Sequence, residues 1–217
     1  MTMNPIFKRV FNLLPEQYRA AAVIAGGAAV DVEKASDIDV FVLGIYGKDK
    51  ISAFWDDMEA AHIPGITFRE ESKKKTKISP PDPQAVKQRH IRKLDSGDNT
   101  HNTVVCDIDT RGLLPSIQII ESPFTTPEKL LEDFDISVHC VAYGPDGTRY
   151  VLPGTTDTKT PPKIIRVADP ELTLLRYRRL CLRYDIPPDT DELIKLFVTA
   201  QPPVRTENDK DGDDLPF

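Results

Sequence analysis

The apolar and polar positions divide this chain into short elements of both kinds. Residues 5–13 (Pro-Ile-Phe-Lys-Arg-Val-Phe-Asn-Leu) read as a short amphipathic helix with Pro5 in its first turn. Residues 20–25 are small and apolar, which suits a buried strand; Gly26-Gly27 breaks it, and 28–33 turn into helix. Residues 37–43 (Asp-Ile-Asp-Val-Phe-Val-Leu) are rich in β-branched side chains and predict a strand. Ile51, Phe54, Trp55 and Met58 recur at three-to-four spacing and predict a helix over 49–61. Residues 102–109 and 116–120 read as two strands of a hairpin across Gly112 and Pro115. Thr126-Pro127-Glu128 starts a short helix. Residues 136–143 alternate and pair with 148–152 across the turn Gly144-Pro145-Asp146-Gly147. Helices follow over 170–184 and 189–199, and Pro202-Pro203 opens a linker. In the 170–184 helix Leu174, Leu175, Cys181 and Leu182 are the expected core residues. Tyr177 and Tyr184, two turns apart, share one face and serve either as core or as a stacking surface. The fold class is α+β, a small mixed sheet flanked by helices. The expected organisation is one domain over 1–200 and an acidic, disordered tail over 201–217.

Charge changes this picture through its distribution. The net charge is −6, which by itself disfavours a nucleic-acid partner. Yet residues 69–93 hold nine cationic side chains against three carboxylates, within a polar stretch (70–100) punctuated by Pro80, Pro81 and Pro83, with a short helix expected near 84–93. The last eleven residues hold five carboxylates against Lys210. No apolar run approaches the roughly 20 residues of a membrane-spanning helix. The N-terminus lacks the features of a signal peptide, so a cytoplasmic location is expected. Cys106, Cys140 and Cys181 form no metal pair. His62, His90, His101 and His139 show no ligand spacing, although His90 falls within the basic stretch.

The candidate chemistry lies in Gly26-Gly27 and Asp37-Ile38-Asp39. On a strand, alternation puts both carboxylates on one face and Ile38 on the other. Two such carboxylates repel unless a divalent cation joins them. Magnesium takes oxygen ligands and couples to substrate phosphates, and a pair of such ions can clamp an in-line phosphoryl displacement. Glycines upstream remove side chains where a triphosphate would approach the backbone, and the amides that follow can receive its charge.

Ala25-Gly26-Gly27-Ala28 followed by Ser36-Asp37-Ile38-Asp39-Val40-Phe41-Val42 resembles the glycine pair and Asp-x-Asp strand of the nucleotidyltransferase superfamily, whose fold is that of DNA polymerase beta. The resemblance spans about 20–152. Leu174-Leu175-Arg176-Tyr177-Arg178-Arg179 resembles a basic helix of phage and large-virus members. It implies a nucleotidyltransferase-like mixed sheet, Asp37 and Asp39 as catalytic and metal-binding residues, Gly26, Gly27 and Ser36 at the nucleotide, and magnesium as cofactor of an active enzyme. The superfamily carries a third carboxylate on a later strand. Here that strand reads Ser116-Ile117-Gln118-Ile119-Ile120, and the third position is Gln118, which carries no charge and is a poor base. Asp107, Asp109, Glu121 and Asp135 are possible substitutes.

The chain ends Asp213-Asp214-Leu215-Pro216-Phe217. This resembles the tip of bacterial single-stranded-DNA-binding proteins, which end Asp-Asp-Ile-Pro-Phe. Phe217 offers an apolar anchor, and the aspartates steer the peptide to basic surfaces. The resemblance implies docking to replication, repair or transcription proteins, in a host cytoplasm if the protein is phage-encoded. Lys73, Lys74, Lys75, Lys77, Arg89, Arg92 and Lys93, with Arg176, Arg178, Arg179 and Arg183 on the later helix, are candidates for contact with single-stranded DNA.

Two functions follow. The first is a single-stranded-DNA-binding accessory protein of replication or transcription, built on a degenerate nucleotidyltransferase-like fold, with a tail that recruits partners. The second is an active magnesium-dependent nucleotidyltransferase acting on a nucleic acid, protein or small molecule. Gln118 and the tail favour the first.

Overall fold

The computed structural model describes residues 3–61, 103–108 and 115–200, with 103–108 described by their backbone. The chain begins with α1 (Pro5–Phe11) and α2 (Glu16–Arg19). Asn4 caps α1, its side-chain oxygen accepting from the Ile6 amide at 2.8 Å, and Pro5 occupies the first turn, where its missing N–H is harmless. Then come β1 (Ala22–Ala25), α3 (Gly27–Val30), β2 (Asp37–Leu43), α4 (Lys48–Ala60), β3 (Thr103–Ile108), β4 (Ser116–Ser122) and α5 (Pro127–Glu132). The chain ends in β5 (Val141–Tyr143), β6 (Arg149–Val151), α6 (Pro170–Tyr184) and α7 (Thr190–Ala200). Among the described residues, no helix is long and apolar enough to cross a membrane.

The six strands form one mixed sheet in the order β3-β4-β2-β1-β5-β6. β2 lies in its middle, antiparallel to β1 and parallel to β4. Alternation along β2 gives the sheet two different faces. Ile38, Val40 and Val42, with Ile117 and Ile119 of β4, pack under α1 and α4 against Phe7, Val10, Phe11, Phe54 and Met58. Phe41 and Ile120 point the other way and pack with Val23 and Ala25 of β1 and Leu130 and Leu131 of α5. A third cluster joins α6 and α7 to the segment before β5, through Ile136, Val138, Ile164, Tyr177, Leu180, Cys181 and Leu196. The α+β class, the mixed sheet and its flanking helices are therefore as the sequence predicts.

Three local expectations differ. Helix α3 is shorter than 28–33, because Asp31 turns extended and its carboxylate accepts from the Glu33 and Lys34 amides in a tight turn. Residues 137–139 form a single 3-10 turn instead of the start of a strand. Ser137 explains it: its amide bonds the Lys163 carbonyl and its hydroxyl accepts from the Lys163 amide, diverting the backbone from the sheet. On α6, burial falls on Thr173, Tyr177, Leu180 and Cys181, at three-to-four spacing. Tyr177 is a fully buried core residue, whereas Leu175 and Leu182 face outward, 44% and 83% exposed. The expected helix at 84–93 and the tail lie outside the described residues.

The Tyr177 hydroxyl accepts a hydrogen bond from the Asp189 amide at 2.9 Å, fixing the α6–α7 connection. Tyr177→Phe should cost about 1–3 kcal/mol, since it leaves that amide without its acceptor. Leu182→Ala on the same helix should change stability by less than about 0.5 kcal/mol. Urea unfolding of both variants checks the assignment; equal losses would contradict it.

Candidate functional site

The carboxylates of Asp37 and Asp39 stand on the same face of β2 as Phe41, at the end of the strand where the apolar packing stops. Both are half-buried. Ser36 precedes them, exposed, with its hydroxyl donating to Asp37 Oδ1 at 3.1 Å. Ala25, the last residue of β1, pairs with Asp39, so the glycines that follow arrive beside the carboxylates. Gly26 has φ +77°, a conformation side chains rarely adopt. A Cβ there would sit 3.5 Å from Asp39 Oδ2 and 3.8 Å from the Phe134 ring. The positive φ calls for glycine, while the contacts a Cβ would make are ordinary ones.

Asp39 has a carboxyl pushed up to about 7, first by burial and then by the neighbouring Asp37 charge, with Arg176 pulling the other way. Arg176 offsets this only in part because it is engaged elsewhere: its Nη1 lies 2.9 Å from Asp135 Oδ2, an oxygen that also accepts from the Thr173 hydroxyl. Two turns further along α6, Arg183 reaches the glycine turn, and a Cβ on Gly27 would come within 3.2 Å of its Nη1. Thus each glycine of the pair admits a different charged neighbour, Asp39 at the first and Arg183 at the second.

His139, on the 3-10 turn packed beside α3, closes this region from behind. Its imidazole is pushed down to about 4, first by burial; Asp135 opposes this, and Arg176 and Arg183 add to it. It is therefore neutral near pH 7, and its Nε2 is buried without a hydrogen-bond partner.

Three solved structures share this arrangement of elements. A tRNA-processing enzyme in an apo form aligns over 92% of this chain and 48% of its own, at 15% identity and TM-score 0.54. The Thermotoga maritima CCA-adding enzyme complexed with tRNA aligns over 91% and 43%, at 19% identity and TM-score 0.53. A CCA-adding enzyme in complex with CTP aligns over 91% and 42%, at 19% identity and TM-score 0.51. The fold is nucleotidyltransferase-like. The chain spans under half the length of each of these structures. No protein-family model matches it, and no curated protein sequence does.

On the nucleotidyltransferase-like sheet, Gln118 of β4 pairs directly with Asp39 of β2, and Ser116 pairs with Asp37. Glu121 occupies the opposite parity on β4 and is buried on the other face of the sheet, so it cannot join the aspartates. Asp135 is committed to Arg176 and Thr173. In β3 a register shift between Val104 and Cys106 brings Asp107 opposite Gln118, which places it two strands from Asp39, or about 10 Å across the sheet. Asp109 lies outside the described residues. Among the described residues, no group of three or more His, Cys, Asp or Glu is placed to hold a metal.

The site thus brings together Gly26, Gly27, Asp37, Asp39, Gln118 by register, and Arg176. Arg178 and Arg179 are exposed; Arg179, three residues from Arg176 and four from Arg183, neighbours both on the helix surface, whereas Arg178 points away from them. Lys73, Lys74, Lys75, Lys77, Arg89, Arg92 and Lys93, and the tip Asp213 to Phe217, lie outside the described residues. His139 carries no sequence signal of its place here. The seven-residue spacing of Arg176 and Arg183 does, because it sets both on one helix face.

The two shifted groups oppose each other over one pH window. Asp39, raised in the folded state, takes up its proton before the unfolded chain does, so its contribution to stability falls as pH rises from about 4 to 7. His139, depressed, does the reverse: stability is lost as pH drops from about 6.5 to 4. Relative to the native chain, Asp39→Asn should be most stabilising above pH 7 and lose that advantage towards pH 4. His139→Gln should gain relative stability over the same descent. Each difference should amount to roughly 2–4 kcal/mol. Denaturant unfolding at several pH values measures both, and flat differences would contradict the site's electrostatics.

Proposed function

We propose that the protein binds a nucleoside triphosphate with magnesium at Asp37 and Asp39 and transfers its nucleotide to an acceptor hydroxyl. The observation that carries this reading is the half-buried pair itself. Burial, and then the charge of Asp37, push Asp39 up to about 7. Such a pair is destabilising at neutral pH unless a cation offsets it. Two carboxylates also suit magnesium well, since that ion keeps several sites for phosphate oxygens and water. When bound, magnesium would neutralise charge on the triphosphate as pyrophosphate leaves.

The remaining work falls to the chain. Gly26 leaves the approach to Asp39 free of a side chain. β1 and β4 hold the aspartates at a fixed register from both sides. Gln118 adds no charge, so activation of the acceptor is weaker than a third carboxylate would provide. A slow enzyme with a strict need for magnesium is expected. The CCA-adding neighbours are described with CTP and with tRNA, which supports a nucleic acid as one acceptor class to test first.

A second reading rests on the sequence Asp-Asp-Leu-Pro-Phe at residues 213–217 and the basic stretch over 69–93. On that reading the protein is a single-stranded-DNA-binding accessory factor of phage replication or transcription, its tail recruiting partner proteins in the host cytoplasm. The two readings are compatible, because a transferase acting on DNA needs a path for the strand.

Equilibrium binding of the four ribonucleoside triphosphates to the full chain separates them. With magnesium, at least one should bind, and Asp37→Asn with Asp39→Asn should weaken it more than tenfold. No triphosphate binding, or binding indifferent to the double substitution, would overturn the first reading. For the second, a labelled oligothymidylate should bind at low salt and dissociate steeply as salt rises; absence of binding to the chain lacking residues 206–217 would dispose of it.

A further inference from the structure

Arg183 is a cation without a counter-charge. Among the described residues it has no ion pair or side-chain hydrogen bond, although it is half-buried. The contrast with Arg176 is instructive. Both lie on one side of α6, two turns apart, and both act on His139. Arg176 is held by Asp135 at 2.9 Å, whereas Arg183 rests against Gly27, so close that a Cβ there would meet its Nη1 at 3.2 Å. Leaving a partly desolvated guanidinium unpaired is unfavourable, and a planar, multi-donor group in that state suits a phosphate.

Its place points to which phosphate. Gly26 abuts Asp39 Oδ2 and the next residue abuts Arg183, with adjacent Cα atoms about 3.8 Å apart. The Asp39 carboxylate and the Arg183 guanidinium therefore flank one dipeptide. Two more polar groups nearby lack partners: the buried His139 Nε2 and the buried Tyr184 hydroxyl, next along α6 from Arg183. Lys34 lies 4.9 Å over the Tyr184 ring, and the Asp31 carboxylate also acts on that tyrosine, so the charge on that side is mixed.

We propose that Arg183 binds the terminal phosphates of the nucleoside triphosphate and hence the pyrophosphate that leaves. This rests on the nucleotide reading of Asp37 and Asp39 and extends it to the specificity for triphosphates. In the transfer, the acceptor oxygen forms a bond to the α-phosphorus, and the bond from that phosphorus to the bridging oxygen breaks. The bond's electron pair leaves with pyrophosphate, and the hydroxyl proton passes to solvent. Negative charge grows on the leaving group, where Arg183 stands. A monophosphate would reach the aspartates without engaging the guanidinium.

The test compares binding of CTP, CMP and inorganic pyrophosphate, each with magnesium, to the native chain, Arg183→Met and Arg183→Lys. Methionine keeps most of the stem's packing, and urea unfolding confirms that each variant is folded. Arg183→Met should weaken CTP and pyrophosphate about ten- to hundredfold and leave CMP within twofold. Arg183→Lys should recover part of the loss, because it restores charge without the planar fork. Equal losses for CTP and CMP, or pyrophosphate binding unchanged in Arg183→Met, would overturn the role of Arg183 while leaving the aspartate site standing. A native chain that binds none of the four ribonucleoside triphosphates and no pyrophosphate would overturn both.

Discussion

Strand β2 holds Asp37 and Asp39 on one face despite their mutual repulsion, and the candidate site depends on that constraint. The strand is hydrogen-bonded on both sides, so its backbone cannot twist to part the two carboxylates. Further along, Phe41 and Val42 are locked into cores on opposite faces of the sheet. The packed half of the strand therefore fixes the direction of the polar half. Burial keeps water from relieving the pair, and Asp39 answers by holding its proton towards neutral pH. The cation nearest to hand, Arg176, is tied to Asp135. What remains is a carboxylate pair beside a glycine turn, which on the proposed reading would seat a magnesium-bound triphosphate.

Helix α6 joins this charge to the rest of the fold. One of its faces, through Tyr177, Leu180 and Cys181, seals the third core against α7. A neighbouring face carries Arg176 and Arg183 towards the glycines and His139. The remaining face exposes Leu175, Arg178 and Leu182 to solvent. Because packing fixes the helix, the backbone positions from which both arginines extend are set before any ligand arrives.

Much of this was legible in the sequence, where the signal was local. Strand β2 was predicted over 37–43 because its β-branched residues and flanking polar residues mark both ends. Pro5, Pro127 and Pro170 announce their helices, and Asn4, Thr126 and Asp169 cap them. The glycine pair was legible as a break before the Asp-x-Asp strand; that Gly26 takes a left-handed backbone is seen only in the fold. What was not legible depends on distant residues. Leu175 and Leu182 look like core residues until α7 is seen to cover the opposite face of α6. The 3-10 turn at 137–139 exists because Ser137 bonds Lys163, twenty-six residues away. The pairings of Arg176 with Asp135 and of Arg183 with Gly27 join segments that no local pattern connects.

The central claim is that the two aspartates form a frustrated seat relieved by a divalent cation and its phosphates. Carbon-13 NMR of the aspartate carboxyl groups, titrated with pH in the absence and presence of magnesium and CTP, tests it directly, with Asp39→Asn assigning the signal. Without ligand, Asp39 should titrate near 7. With magnesium and CTP its midpoint should fall below the ordinary carboxylate range, because the bound cation favours the charged form. A midpoint near 4 without ligand, or one that magnesium and CTP leave unmoved, would contradict the account.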